Sequence, residues 1–481
     1  MCGISALIFS SSRRFNDLQE MNRLIKHRGP DDEGAYVYSR SDKQSYTLAG
    51  DDTPIDVREA FSLEDDITAN SNECDIALGH RRLSIRDLSP KGHQPMLSSC
   101  SRFSLVYNGE IYNSEAIRDE LIALGYSFQS DSDTEVLLYG ILEWREKVLA
   151  KLNGMFSFIA FDSETEDVFV ARDRFGIKPL YYWALPLGGL AFGSEIKQFT
   201  CLNGWSAELN GPMALDFLNW GQTDHTEETM FKGVFHVPPG HYARFNLKAV
   251  PNRPSFVRWY EIKKSKYRGS FEEATVEFER LFVDSVSLRL KADVPVGTCL
   301  SGGLDSSSIV CVVNSLIKQG QVQKTFSSCS EHKRFDEREF VHEVLNMTKN
   351  VDPCLFNLEH GNFADLISDI VYHQDEPFLS PSVFAEWSVF EKVKQGGVTV
   401  TLDGHGADEQ LIGYHTFYGS HLFTLFKKFR FIKLVSEIMS LKRLHGYGLG
   451  YSLRKILRGI LPNSLNQLLF KVTNRPTSHV G

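Results

Sequence analysis

Hydrophobic positions in the first half of the chain fall into short runs. "GISALIF", "DIALGH", "FSLVYN", "MFSFIAFD", "DVFVARD", "LYYWAL" and "LAFGS" are each bounded by Gly, Asp, Asn or Pro, the pattern of strands closed by turn residues. Two stretches among them switch to a helical period. Leu18, Met21, Leu24 and Ile25 share one face between Asp17 and His27, ahead of the stop "RGP". Ile117, Leu121 and Leu124 follow the N-cap candidates Asn113 and Ser114 and end at Gly125. Runs of strands with interspersed helices predict layered antiparallel sheets.

The second half changes period. Ala274, Phe278, Leu281 and Leu288 mark an amphipathic helix over 271–290. "VPVGTCL" then reads as a buried strand, "SGGLDS" as its loop and "SSIVCVVNSLIKQG" as a helix closed by Gly320. The strand "KTFSSC", a helix after Asp336 and the strand "VTVTL" follow. Such alternation predicts an α/β unit with a parallel sheet. The boundary is expected within Cys201–Ser270, where Pro238-Pro239-Gly240 marks a turn and Pro251-Asn252-Arg253-Pro254 a linker. The expected division is a first domain over 1–215, a connecting segment over 216–265 and a second domain over 266–481.

Composition narrows the class. With 481 residues, 42% apolar and 23% charged, the chain is long enough for two globular domains. A net charge of −9 argues against nucleic acid as the partner of the whole surface. The eight cysteines are scattered without a CxxC pair, which speaks against a disulfide framework or zinc site and for a reducing, cytoplasmic location. The N-terminal "ISALIF" has its basic residues after it, the wrong order for a signal peptide. No apolar run reaches the roughly 18 residues of a membrane span. From His421 onward lysine and arginine face a single acid, Glu437. This tail reads as a helical cap with a solvated basic face, a membrane or partner surface being the alternative. A homodimer is admitted but not specified.

The candidate chemistry begins at the front. Cys2 follows a removable Met1, so its thiol would stand beside its own α-amine, which titrates near neutrality and can act as base. An acyl-transfer site also needs donors for an oxyanion. In "YNGEIYN", Asn108 can give a side-chain N–H and Gly109 a backbone N–H, although Asn-Gly also signals a turn. In "HRRLSIRDL", Arg81 or Arg82 could fork a substrate carboxylate. In "SDSDTEVLL", Asp131 and Asp133 could hold an ammonium or simply cap a helix.

The ordered set "MCGI", "HRGPDDEG", "GHRRLSIRDLS", "QP", "NGEIYN", "SDTE", "LNGMFSF" and "ARDRFGIKPLYY" resembles the N-terminal-cysteine glutamine amidotransferases over about the first 200 residues. That resemblance implies an α+β N-terminal-nucleophile hydrolase sandwich with αββα layers, in which Cys2 attacks the glutamine amide and releases ammonia. It implies an oxyanion hole at Asn108 and Gly109, and a glutamine site formed by Arg82, Leu83, Ser84, Ile85, Arg86, Asn108, Gly109, Glu110 and Asp133. Arg82 would bind the carboxylate, and Glu110 and Asp133 the amino end.

In the second half, "LSGGLDSS" follows a strand and opens a helix. Its adjacent glycines and the helix N-terminus suit a phosphate. Ser301 and Ser306 add hydroxyls, and Asp305 could hold Mg²⁺. The loop lacks the Walker lysine pattern and resembles the PP-loop ATP pyrophosphatases, whose domain is an α/β parallel-sheet fold of the adenine nucleotide α-hydrolase type. Together the halves, with "FDEREF" and "DEPFLSPS", resemble glutamine-hydrolysing asparagine synthetase. An ATP site is thereby implied at Leu300, Ser301, Gly302, Gly303, Asp305, Ser306, Ser328, Asp403 and Gly404, with Mg²⁺ at Asp305 and Asp408. The implied small molecules are glutamine, ATP and a carboxylate, aspartate by default. The carboxylate would become an acyl-adenylate, and channelled ammonia would displace AMP.

Two departures stand out. The family loop S-G-E-G-x-D-E here has Asp403 for its serine, and His405 at the position tied to adenylation and ammonia. The chain also lacks the family's R-x-P-[FY]-L-D segment and later lysine, so an incomplete C-terminal helical part is expected. Two other functions stay open: amidation of a sugar acid or peptide-like precursor, and a synthetase-inactive glutaminase or regulatory subunit.

Overall fold

The computed structural model describes residues 1–15, 17–63, 73–318, 320–332, 336–357 and 363–460. Phe335 of "FDEREF" and the tail from 461 lie outside them.

Two antiparallel sheets face each other in the N-terminal half. The first has seven strands, in the order Val234–His236, Tyr181–Ala184, Gly189–Gly193, Gly3–Arg13, Cys74–Arg82, Asp32–Ser39 and Gln44–Ala49. The second has six: Val257–Arg258, His241–Asn246, Asp167–Arg172, Gly154–Asp162, Phe103–Ile111 and Met96–Leu97. Strand side chains alternate between faces, and both faces are used. Ile4, Ile8, Ile76 and Leu78 meet Val106, Ile159, Phe161 and Val170 between the sheets. Outward, Leu7 and Phe9 pack with Leu18 and Met21 of the helix Asp17–Leu24. Tyr107, Phe156 and Phe158 pack with Ile117 and Leu121 of the helix Ser114–Ala123, and with Val136 and Leu137 of the helix Asp133–Trp144. The outcome is the expected αββα sandwich. Its central strands carry near-continuous apolar runs because neither face is wet.

The stretch 216–265, expected as a connecting segment, contributes three strands to these sheets: Val234–His236 to the first, His241–Asn246 and Val257–Arg258 to the second. We propose the domain division between Arg258 and Phe271.

The C-terminal half carries a four-stranded parallel sheet in the order Val351–Asn357, Gln323–Cys329, Val296–Cys299, Val400–Leu402. Helices Phe271–Arg289 and Leu304–Leu316 cover it through Phe282, Val286, Ile309 and Val313. The stripe expected on the first of these is not its packed face, since Phe278 and Leu281 stay about half exposed. Helices His415–Lys427, Phe431–His445 and Leu449–Ile460 form a cap around Leu422, Leu425, Leu434 and Leu441. No described helix is long and apolar enough to cross a membrane.

Among the described residues the halves meet in two regions. Near the first, Asp293 N–H donates to the Ile85 carbonyl at 3.0 Å, and Asp87 N–H to Asp293 Oδ2 at 2.8 Å. At the second, buried Lys197 bridges to Asp375 at 2.8 Å, and Met230 N–H donates to Glu376 Oε1 at 2.7 Å. Asp375 and Glu376 of "DEPFLSPS" thus lie at the seam.

Phe161 is fully buried between the sheets. Phe161→Ala should destabilise the N-terminal domain by about 3–5 kcal/mol in equilibrium urea denaturation. A loss below about 1 kcal/mol would mean the inter-sheet layer is not a packed core.

Candidate active site

Pairing of Gly3 with Arg81 sets the front of the chain beside the end of the neighbouring strand. Cys2 Sγ lies 3.4 Å from the Leu83 amide nitrogen and 3.7 Å from the Leu83 carbonyl oxygen. It opens on a cavity of about 540 Å³, counted to its solvent mouth, whose wall includes Arg82, Leu83, Ile85, Arg86, Asn108, Gly109, Glu110 and Asp133. Of the expected glutamine-site residues only Ser84 is off this wall; its amide donates to Asp31 at 2.8 Å.

Asn108 and Gly109 sit inside the strand Phe103–Ile111, paired with Ser157 and Phe156, so the turn alternative for Asn-Gly is excluded. Asn108 is buried, and its Nδ2 has no hydrogen-bond partner among the described residues. A buried donor is normally satisfied, so this one is poised for a ligand acceptor. A Cβ on Gly109 would lie 2.4 Å from the Met155 carbonyl oxygen, which no side chain tolerates.

The charged groups divide by their partners. Arg81 is wholly buried and paired with Glu33 and Asp52, both at 2.8 Å; it is spent on structure. Arg82 donates to the carbonyls of Ser89 at 3.2 Å and of Asp87, and it faces the cavity without a carboxylate. Asp133 is not an N-cap, because Ser132 takes that role through the Thr134 amide. Asp133 Oδ2 instead accepts from Tyr107 Oη at 2.9 Å and from the Ile111 amide at 2.8 Å, and burial raises its pKa. Glu110 is pushed up to about 7 by burial and then by Asp133, against the pull of Arg86, Lys178 and Arg289. Arg289 belongs to the other half of the chain, its guanidinium 4.2 Å from the Tyr112 ring. At the chain front the Met1 side chain is half exposed, but burial pushes its α-amine down to about 5. Asp131 stands apart, its amide bonded to Asp87.

The second candidate site lies at the carboxyl edge of the parallel sheet, where α/β folds bind ligands. The loop after Cys299 closes on itself: Ser301 Oγ and Ser306 Oγ are 3.0 Å apart, and the Gly303 amide donates to Ser301 Oγ at 3.3 Å. Gly302 has φ +84°, and its missing Cβ would meet Phe340. Gly303 caps the helix Leu304–Leu316, which directs its N-terminus at the loop. Ser328 is exposed near the end of the next strand. Leu300 is different: it packs in the core with Val310 and Val341, and both its backbone groups are bonded.

The loop after Leu402 abuts this site, with Gly404 tight against Asp305. Asp403 Oδ2 accepts from Thr401 at 3.1 Å, while the buried Oδ1 has no partner among the described residues. Burial, then Asp408 and Glu409, raise the Asp305 pKa. Among the described residues no three His, Cys, Asp or Glu side chains converge as a ready metal site. Magnesium typically takes one or two carboxylates and completes its shell with substrate phosphate, and the mutual repulsion at Asp305 and Asp408 fits such a cation. His405 points elsewhere: it is exposed and pairs with Glu386 at 2.8 Å, which raises its pKa and lowers that of Glu386.

Sequence reasoning missed Lys178, Gln94 and Tyr107, which share the Cys2 cavity. "QP" and "GIKPLYY" flagged two of them without a role.

Known proteins resemble the chain in the same two parts. Residues 64–256 match the family model described as glutamine amidotransferase domain, and 277–458 the one described as asparagine synthase. The chain is 30% identical over 490 residues to the putative asparagine synthetase (glutamine-hydrolyzing) 2 of Methanocaldococcus jannaschii, covering 96% of this chain and 85% of that one. It is 30% identical to asparagine synthetase (glutamine-hydrolyzing) 1 of Bacillus subtilis, covering 83% and 56%. It is 31% identical to amidase chyE of Penicillium rubens, covering 87% and 60%. The chain thus spans less than two thirds of the latter two.

Arg289→Met should move the Glu110 titration above its value near 7, because a cation that favours the carboxylate is lost. Carbon-detected NMR of ¹³C-glutamate-labelled protein, assigned with Glu110→Gln, reads this directly. A midpoint in the ordinary carboxylate range, unmoved by Arg289→Met, would contradict the burial of Glu110.

Proposed function

The chain belongs to the glutamine-hydrolysing asparagine synthetase family, and from that premise we propose that it amidates a carboxylate, aspartate first, with nitrogen from glutamine and energy from ATP. The observation that carries the reading is the buried, partnerless Asn108 Nδ2 in the cavity that Cys2 opens on.

With Met1 removed, the Cys2 amine takes the thiol proton. The thiolate adds to the glutamine side-chain amide. Asn108 Nδ2 and the Gly109 amide receive the oxyanion, Arg82 the α-carboxylate, and Glu110 with Asp133 the ammonium. Collapse expels ammonia and leaves a thioester, which water cleaves to glutamate. At the second site the loop amides, Ser301, Ser306 and the helix N-terminus hold ATP phosphate. Ser328 and the partnerless Asp403 Oδ1 offer polar contacts to the nucleoside. Asp305 and Asp408 would hold Mg²⁺, which when bound offsets phosphate charge. The acceptor carboxylate attacks the α-phosphorus and releases pyrophosphate; ammonia then displaces AMP to give the amide.

A second acceptor class has support of its own. His405 is drawn to Glu386 and offers no acid where the family loop has one, and one relative is named an amidase. Pyrophosphate–ATP exchange with aspartate, a sugar acid and a carboxylated peptide decides between acceptors: exchange with aspartate alone supports asparagine formation, and exchange with another acid alone replaces it. No exchange with any acid leaves a glutaminase without synthetase activity.

Asn108→Ala should lower glutaminase kcat by about 10²–10³-fold, while Cys2→Ala abolishes glutamate formation and spares ammonia-dependent pyrophosphate release. Glutamate formation by Cys2→Ala at the wild-type rate would overturn the nucleophile assignment.

A further inference from the structure

The segment "ARDRFGIKPLYY" has no part in the chemistry above, yet its turn is densely hydrogen-bonded. Asp173 is wholly buried. Its Oδ1 accepts from the amides of Phe175 at 3.0 Å and Ile177 at 3.1 Å, and its Oδ2 from Lys178 at 3.0 Å and Phe156 at 3.1 Å. From the other side, buried Arg172 donates through Nε to the Lys178 carbonyl at 2.8 Å and through Nη2 to the Gly176 carbonyl at 2.7 Å. Gly176 makes the reversal at φ +69°, where a Cβ would meet Pro239 and the Arg172 guanidinium. Both backbone groups of Lys178 are therefore clamped, and its side chain is delivered to the Cys2 cavity, almost wholly buried.

The other cations near this cavity each have a partner within the fold. Arg28 pairs with Glu195, Arg82 with loop carbonyls, and Arg86 with Ser114 and Glu115. The anions are Glu110 and Asp133 on the wall, Asp31 near the Met1 amine and Asp173 behind the lysine. Lys178 Nζ makes neither an ion pair nor a hydrogen bond to any described residue. Burial pulls the Lys178 pKa down and Arg28 adds to this, while Cys2, Glu110 and Asp173 favour the ammonium.

We propose that Lys178 is a positioning residue for the glutaminase reaction: its ammonium, delivered to the cavity by the clamped turn, stabilises the Cys2 thiolate. This rests on Cys2 being the nucleophile. A fixed cation beside the thiol favours its negative charge. The built turn fixes the backbone of a residue whose side chain has no bonded partner among the described residues.

The test is the pH dependence of Cys2 alkylation by iodoacetamide, followed by peptide mass spectrometry on the full chain, for wild type, Lys178→Met and Lys178→Arg. Lys178→Met should raise the alkylation midpoint by about one pH unit or more, with the acid limb of glutaminase kcat/KM moving in parallel. Lys178→Arg should restore both. An unchanged midpoint in Lys178→Met with the same circular dichroism as wild type would overturn the proposal. So would a failure of Lys178→Arg to recover a midpoint that Lys178→Met had raised. Failure of the underlying reading looks different: Cys2→Ala would keep glutaminase activity whatever the Lys178 variants do.

Discussion

Much of this molecule follows from the pairing of its first strand. Gly3–Arg13 lies between Gly189–Gly193 and Cys74–Arg82 in the middle of a seven-stranded sheet, with apolar layers on both faces. Residues 5–8 of this strand are paired on both flanks. The register that pairs Gly3 with Arg81 brings Cys2 to Leu83, and packing on the second sheet brings the wall of Asn108, Gly109 and Glu110 to the same cavity. A one-residue slip would turn every side chain of the strand to its other face, so the geometry of the nucleophile is inherited from the core.

The second half uses a different device. Parallel strands leave their loops at one edge, and two of those loops meet where Gly404 closes on Asp305. The tight fit excludes larger side chains and gathers acids that repel one another. That surplus of negative charge lies beside a helix N-terminus. The two halves touch on the Cys2 side. Asp293 binds backbone on the Cys2 side, and Arg289 tempers the charge of Glu110 from across the boundary.

The sequence was legible where pattern and chemistry coincide. The strands around "GISALIF", "FSLVYN" and "MFSFIAFD", the helices after Asp17 and Asn113, and the glycine loop after Cys299 could be read directly. The strand Asp32–Ser39 could not, because it opens on Asp-Glu-Gly; those acids are buried against Arg81, His93 and the turn after Ala49. Asn108-Gly109 signals a turn locally, but cross-strand pairing with Ser157 and Phe156 overrides that preference. The strands of 216–265 are too short to show a period. Leu300 reads like a ligand contact by position and is a core residue by packing. His405, singled out by its departure from the family loop, is held by Glu386, a partner far away in the sequence.

The central claim is that one chain takes nitrogen from glutamine at Cys2 and spends it at the nucleotide loop. Incubation with amide-¹⁵N-glutamine, ATP and the acceptor carboxylate, in excess unlabelled ammonium, measures that transfer by mass spectrometry of the product. Retention of ¹⁵N in the new amide, with one glutamate per pyrophosphate, is the expected result. Label found only in free ammonium, with no glutamine-dependent pyrophosphate, would contradict it.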